Sequence, residues 1–286
     1  MMPKLFVFGL GFTGGALARA LAAEGWAVAG TTRSGESTGL PGLPGIPVFP
    51  FDRTHPLDPA ALAGTTHVVS TVPPDDLGDP VLDGAGGMLR GLGLAWAGYL
   101  STTGVYGDRD GEWVDETSDL KPDLGRSERR VAAERAWRAS GLPAHIFRLA
   151  GIYGPGRSAI DSVRAGKARR IVKPGQMFGR IHVDDVAAAV RASMDRPRPG
   201  AVYNLADDEP APPQDVILHA CRLLGVEPPP EMPWEEARAT LSPMALSFYA
   251  DNKRVRNDLI KTELGVRLRY PTYREGLAAI LRGGNP

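Results

Sequence analysis

The chain has 286 residues, with 33 lysines and arginines against 33 aspartates and glutamates, and one cysteine. Zero net charge removes the long-range pull toward DNA, RNA or anionic lipid that strongly basic chains show, and the lone Cys221 has no partner for an internal disulfide. No apolar run approaches the ~20 residues of a membrane helix, so the expectation is a cytoplasmic chain of one large or two small domains with a substantial core.

The first element is the most informative. Leu5 to Phe8 reads as a buried parallel strand, broken at Gly9. Gly9, Gly11 and Gly14 have the G-x-G-x-x-G spacing, with Phe12 and Thr13 completing the turn, and an Ala/Leu-rich helix pattern starts at once. In such a turn the first glycine makes the bend, the second admits a pyrophosphate, and the third lets helix pack on strand. The free N–H groups at the helix start then face the anion. Lys4 and the apolar, Ala-rich stretch also outline a signal peptide. Arg19 interrupts that outline, and cleavage would delete a strand and a helix.

Trp26 to Thr32 reads as the second strand and ends in Thr32-Arg33-Ser34, with no acid before Glu36. An acid there would bind the ribose 2′-hydroxyl of NAD; an arginine suits the 2′-phosphate of NADP. The reading is therefore NADP rather than NAD, held by Thr32 and Arg33. Ser34 to Pro47 reads as an exposed loop and Pro47 to Phe51 as a third strand. Asp52 at its end either accepts from the adenine amino group or caps the turn. His67 to Val72 is a fourth strand, whose last residues, Thr71 and Val72, line the crevice at the carboxyl ends of the strands.

Asp79 to Leu92 reads as a helix and Leu94 to Ser101 as a fifth strand, running into Ser101-Thr-Thr-Gly-Val-Tyr-Gly107. A helix over Arg126–Ser140 and a strand over Pro143–Leu149 follow. After Ala150 the strand–helix alternation loosens. Val186 to Met194 is an amphipathic helix, capped by Asp184 or Asp185, and Ala201 to Leu205 is a strand. Helices are expected over Gln214–Leu224, Trp234–Leu241, Asn252–Leu264 and Thr272–Arg282, with Cys221 as a small buried hydrophobe.

The fold class is thus α/β: a Rossmann-type doubly wound parallel sheet with a smaller, mostly helical C-terminal substrate lobe. Residues 1–150, with returning pieces at 181–206, form the dinucleotide-binding part, and 151–180 with 207–286 the lobe. The glycine turn, Ser101–Gly107, Arg148-Leu-Ala-Gly-Ile-Tyr-Gly-Pro155, His182-Val-Asp-Asp185 and Tyr203-Asn-Leu-Ala206 occur in one order along most of the chain. In this the chain resembles the extended short-chain dehydrogenase/reductase superfamily, in its NAD-dependent epimerase/dehydratase branch, although its glycine spacing is closer to the general Rossmann form.

The resemblance implies a Ser/Thr, a Tyr and a Lys four residues later as the hydride-transfer machinery. The hydroxyl falls on Thr102. The Tyr position holds Arg126 and the Lys position Arg130. An arginine stays protonated and cannot shuttle a proton as a phenol does. Tyr106, on the same loop as Thr102, and Tyr153 are the candidate replacements, and His182 is a structural hydrogen-bonder. In nucleotide-sugar enzymes of the family an arginine lies five residues before the Val of Val-Asp-Asp; here that position is Phe178, with Arg180 two residues on.

Two functions are expected. The first is an NADP-dependent oxidoreductase or epimerase-type enzyme acting on a small polar metabolite, with catalytic Thr102 and Tyr106. The second is a non-catalytic dinucleotide-binding sensor or regulatory module. No nucleic acid, membrane or metal partner is expected, and the resemblance allows a homodimer.

Overall fold

The computed structural model describes residues 2–36, 45–122 and 125–283 and places the amino-terminal strand in the middle of a sheet. That strand is β1 (Lys4–Phe8). Leu5 and Val7 enter one apolar cluster while Phe6 and Phe8 enter another on the opposite face. A strand covered by helices on both faces needs such an unbroken apolar run. The chain turns into α1 (Phe12–Ala23) and returns as β2 (Ala27–Thr32) beside β1, with β3 (Val48–Pro50) beyond it. Much of the loop expected at Ser34–Pro47 falls in 37–44, outside the described residues.

On the other side of β1 stands β4 (His67–Ser70). Then come α2 (Pro80–Arg90), β5 (Trp96–Thr102), the two-residue β6 (Trp113–Val114), α3 (Gly125–Ala139) and β7 (Ala144–Leu149). Asp79 starts α2: its carboxylate accepts from the Val81 and Leu82 N–H groups and from Trp137 Nε1, so one buried acid caps a helix and fixes α3 against it. The chain next leaves the sheet through β8 (Gly151–Tyr153), α4 (Ala159–Arg164), β9 (Arg170–Val172) and β10 (Arg180–His182), and comes back by α5 (Val183–Asp195) and β11 (Val202–Leu205). All seven sheet strands are parallel, in the order β11-β7-β5-β4-β1-β2-β3. The winding reverses between β1 and β4, and the crevice outside the strands' carboxyl ends at that point is where open α/β sheets bind ligands.

The rest of the chain is α6 (Pro213–Leu224), β12 (Glu231–Pro233), α7 (Trp234–Arg238), α8 (Pro243–Ala250), β13 (Arg254–Val255), α9 (Asp258–Thr262) and α10 (Tyr273–Gly283). Ile160, Val216, Ala220, Leu277 and Ile280 make a separate core among α4, α6 and α10. Cys221 is fully buried at the edge of that region, as a small hydrophobe would be.

Three expectations change. The helix expected over Asn252–Leu264 is split into β13 and α9. Asn257 stops it: its side-chain amide donates to Ala206 O and to Asp208 Oδ1, and the Arg254 and Arg256 N–H groups pair with Glu112 O and Val114 O. The helix expected to reach Leu241 ends at Arg238, and α8 follows unforeseen. The cap of α5 is neither Asp184 nor Asp185. His182 Nδ1 accepts from the Asp184 N–H at 3.2 Å, while the Asp185 carboxylate accepts from the Arg269 and Tyr270 N–H groups and ties the helix to the segment before α10.

Candidate functional site

The turn after β1 is held from both neighbouring strands. The Thr71 hydroxyl donates to Gly9 O at 2.7 Å, and the Gly9 N–H donates to Thr31 Oγ1 at 3.1 Å. Gly9 has φ +90°, where a side chain is strained. A Cβ on Gly14 would lie 2.2 Å from Gly9 O, so the helix could not approach its strand. These two glycines are explained by the chain itself. Gly11 is not: its φ is −84°, and a Cβ there would meet nothing within 4 Å. Gly11 caps α1 without a side-chain hydrogen bond, which leaves the first N–H groups of the helix for a ligand.

A cavity of about 740 Å³ opens beside this turn. It is lined by Gly9, Gly11, Thr32, Arg33, Asp52, Thr71 and Val72, which the sequence singled out, and α1 begins at its edge with Phe12, Thr13 and Gly14. Arg33 is exposed there, and the Thr32 hydroxyl donates to Glu36 O. Asp52 caps its turn. Its Oδ1 accepts from the Thr54 and His55 N–H groups and from the Thr54 hydroxyl, and the Thr54 bonds hold its carboxyl far below the usual range. Arg53, not singled out from sequence, also lines the cavity and is paired with Asp75 and Asp83.

A second cavity, of about 730 Å³, lies at the ends of β5 and β7. Thr102 lines it, and its hydroxyl accepts from the Gly104 N–H at 3.1 Å. A Cβ on Gly104 would lie 3.1 Å from Ser127 Oγ, so α3 starts directly against this loop. That contact brings Arg126 to the cavity wall, where its guanidinium sits over the Phe248 ring of α8, 5.3 Å from the centroid. Arg180, Tyr249 and Lys253 also line the cavity. The guanidinium of Arg157, on the wall of this cavity, sits over the Phe12 ring of α1, 5.5 Å from the centroid.

The other expected residues lie elsewhere. Tyr106 is fully buried and lines neither cavity. Its hydroxyl donates to Asn204 Oδ1 at 2.7 Å and accepts from Arg148 Nη1 at 2.9 Å, and burial pushes the phenol up to about 12. Arg148 in turn pairs with buried Glu134 at 2.8 Å, which accepts from the Ser101 hydroxyl at 2.6 Å. Arg130 turns toward the sheet, donating to Tyr99 Oη and Leu100 O, both at 2.9 Å. Tyr153 lines the second cavity, but its hydroxyl is directed to Thr272 O and burial raises its pKa. His182 is buried between the rings of Tyr153 and Tyr270 and caps α5, the structural role expected.

Phe248 and Tyr249 escaped sequence reading because α8 is apolar all round and carries no periodic signal. Among the described residues no helix is long and apolar enough to cross a membrane.

No family model matches the chain. It is 32% identical over 247 residues to Protein YeeZ of Escherichia coli K12, covering 80% of this chain and 86% of that protein. A 3-diazoavenalumate denitrifying reductase of a Streptomyces species is 31% identical over 155 residues, half of this chain and 49% of the relative. Among solved structures, a conserved protein of unknown function from Silicibacter pomeroyi DSS is 49% identical over 100% of both chains, with a TM-score of 0.89. A Methylobacillus flagellatus protein assigned as an NAD-dependent epimerase/dehydratase is 26% identical over 99% of both, with a TM-score of 0.75. The UDP-glucose 4-epimerase of Thermus thermophilus in complex with NAD shares the fold at a TM-score of 0.77 and 20% identity, over 99% of this chain and 100% of that one. Likeness along the whole chain accords with the strand order and the switch-point turn: the chain belongs to one family with Protein YeeZ, and its structural neighbours are NAD-dependent epimerase/dehydratase family members, whose extended short-chain dehydrogenase/reductase fold it shares.

Proposed function

We propose that the chain binds NADP at the crevice beside β1 and uses it in an oxidoreductase or epimerase-type reaction on a small polar metabolite. One observation carries the cofactor reading. Gly11 is a glycine that neither its own backbone angles nor its packing requires, on the wall of a cavity beside a helix start. An approaching diphosphate supplies the missing requirement. Phe12, Thr13 and Gly14 continue the cradle, while Thr71 and Val72 border it. Arg33, with Thr32, takes the 2′-phosphate, because a guanidinium fork matches phosphate geometry and no acid stands where NAD would need one. When bound, the cofactor supplies hydride chemistry. The chain's own part is to orient the reacting oxygen with Thr102 and to close the lobe formed by 151–180 and 207–286 over it. Titration calorimetry tests the cofactor assignment: NADPH binds about tenfold or more tightly than NADH, and equal affinities remove the role of Arg33.

A second reading has an observation of its own. Arg130, which the resemblance aligns with the lysine as it aligns Arg126 with the phenol, is committed to Tyr99 and Leu100. A chain that holds the dinucleotide without turning it over, as a sensor or regulatory module, fits that loss. It requires no NADPH consumption across a broad carbonyl panel and a cofactor-dependent change in partner binding. Steady turnover eliminates it, and in that case Thr102→Val loses turnover while keeping cofactor affinity.

A further inference from the structure

The cavity at the end of β5 has a charge that the chain as a whole lacks. Arg126, Arg157, Lys167, Arg169 and Arg180 line it, and none of them is in an ion pair among the described residues. Lys253 is neutralised by Asp251 at 2.8 Å. The remaining acid on the wall, Asp161, accepts from the Ser158 hydroxyl. The buried Asp207 makes no ion pair with Arg180 among the described residues; burial raises the Asp207 carboxyl and lowers the Arg180 guanidinium from their ordinary values. In a chain of zero net charge, these side chains concentrate positive potential around one cleft, and clefts lined by one sign of charge gather counter-ions.

Arg126 is the member nearest the expected chemistry. It stands in the first turn of α3, beside the Thr102–Gly104 loop. Its guanidinium is held by the Phe248 ring. Stacking on a ring face occupies the plane of the fork and leaves its N–H edge free for a carboxylate or phosphate. Phe248, 55% exposed, and Tyr249 add an apolar surface on the same side.

We propose that Arg126, standing where a phenol would donate a proton, is instead an anion receptor, and that the substrate carries a carboxylate or phosphate next to its reacting carbon and an apolar, planar body against Phe248. This rests on the reading of Thr102 as the residue facing the reacting oxygen. It names the substrate class of that site as anionic rather than merely polar.

The test is calorimetric titration of the full chain with benzoate, phenyl phosphate and neutral benzamide. Wild type, Arg126→Gln and Arg126→Lys are compared, and each is also titrated with NADPH. Arg126 is exposed, so the variants keep the core intact. At least one anion binds about tenfold more tightly than benzamide, and its affinity falls as salt rises. Arg126→Gln removes most of that difference, Arg126→Lys restores part of it, and NADPH affinity is the same in all three. Preference for benzoate assigns the group as a carboxylate, and preference for phenyl phosphate as a phosphate. The proposal is overturned if benzamide matches both anions, or if Arg126→Gln binds them as wild type does. A wild type that takes the anions but not NADPH rejects the cofactor reading and leaves this one standing.

Discussion

Replacing Gly11 by alanine separates a glycine kept for the fold from one kept for a ligand. The residue has φ −84° and an empty surround, so the added methyl group is neither strained nor crowded. As a helix cap, alanine is poorer than glycine by up to about 1 kcal/mol. Against that, the unfolded chain loses freedom worth about 0.4–1 kcal/mol. The two effects nearly cancel, and the ligand-free protein melts within about 3 °C of wild type. Binding is another matter. The methyl group projects where a diphosphate must approach the N–H groups of α1, and a hydrogen bond to a charged group is worth about 1.5–3 kcal/mol. Loss of one such bond weakens NADPH by about 10- to 100-fold. Both quantities come from one preparation, by thermal unfolding without ligand and by calorimetric titration with NADPH. A normally folded variant that binds NADPH like wild type would show that nothing comes near Gly11 and would refute the cofactor reading at its base.

Gly14→Ala gives the opposite pattern: with a Cβ 2.2 Å from Gly9 O, it lowers stability by about 2 kcal/mol or more before any ligand is added, and an unchanged urea midpoint contradicts this packing. Glu134→Ala strands the Arg148 guanidinium in the core and costs about 3–5 kcal/mol in urea unfolding; a loss below about 1 kcal/mol means that solvent reaches the pair. Asp207 gives a pH signature. Its folded pKa of about 8 lies above the ordinary carboxylate value because of burial, so between about pH 4 and 8 the unfolded chain has released a proton that the folded chain keeps. Stability from this group is therefore lost as pH rises through that window. Asp207→Asn gains on wild type by about 1.4 kcal/mol per pH unit, whereas a difference constant from about pH 5 to 8 rejects the shift.

The parts of this molecule that could be read in the sequence are those where one local rule decides. Leu5–Phe8 had to be a buried strand because four apolar residues in a row precede a glycine turn, and its side chains divide between the two faces as period 2 requires. Arg33 and Thr71 came together in one cavity because the sheet's winding order brings strand ends together. What could not be read depends on distant partners. Asn257 breaks a helix by reaching Ala206 and Asp208, far away in sequence. His182 displaces two adjacent aspartates as cap, since Asp185 is drawn to the backbone of Arg269 and Tyr270. Tyr106 looked free on a hydroxyl-rich loop, yet Arg148 and Asn204 claim its hydroxyl.

That last contact bears on the chemistry of the Thr102 loop. Ser101, Glu134, Arg148, Tyr106 and Asn204 form one buried chain of hydrogen bonds joining β5, α3, β7 and β11. The Ser101 and Tyr106 hydroxyls, which the loop directs inward, are thereby consumed in holding it, and a satisfied buried network is rigid. Among the described residues the Thr102 hydroxyl, next after Ser101, has only the bond from the Gly104 N–H, and a hydroxyl that accepts there retains its own proton to donate. The loop thus presents the Thr102 hydroxyl to the cavity as a positioned donor, beside Thr103. With Tyr106 locked away, its phenol gives no proton to a substrate oxygen in the cavity. A solvent isotope effect on turnover measures this: Thr102→Ser retains the wild-type value, and Tyr106→Phe leaves it unchanged while lowering stability. A normal isotope effect abolished by Tyr106→Phe would place the phenol back in the reaction and contradict the burial described here.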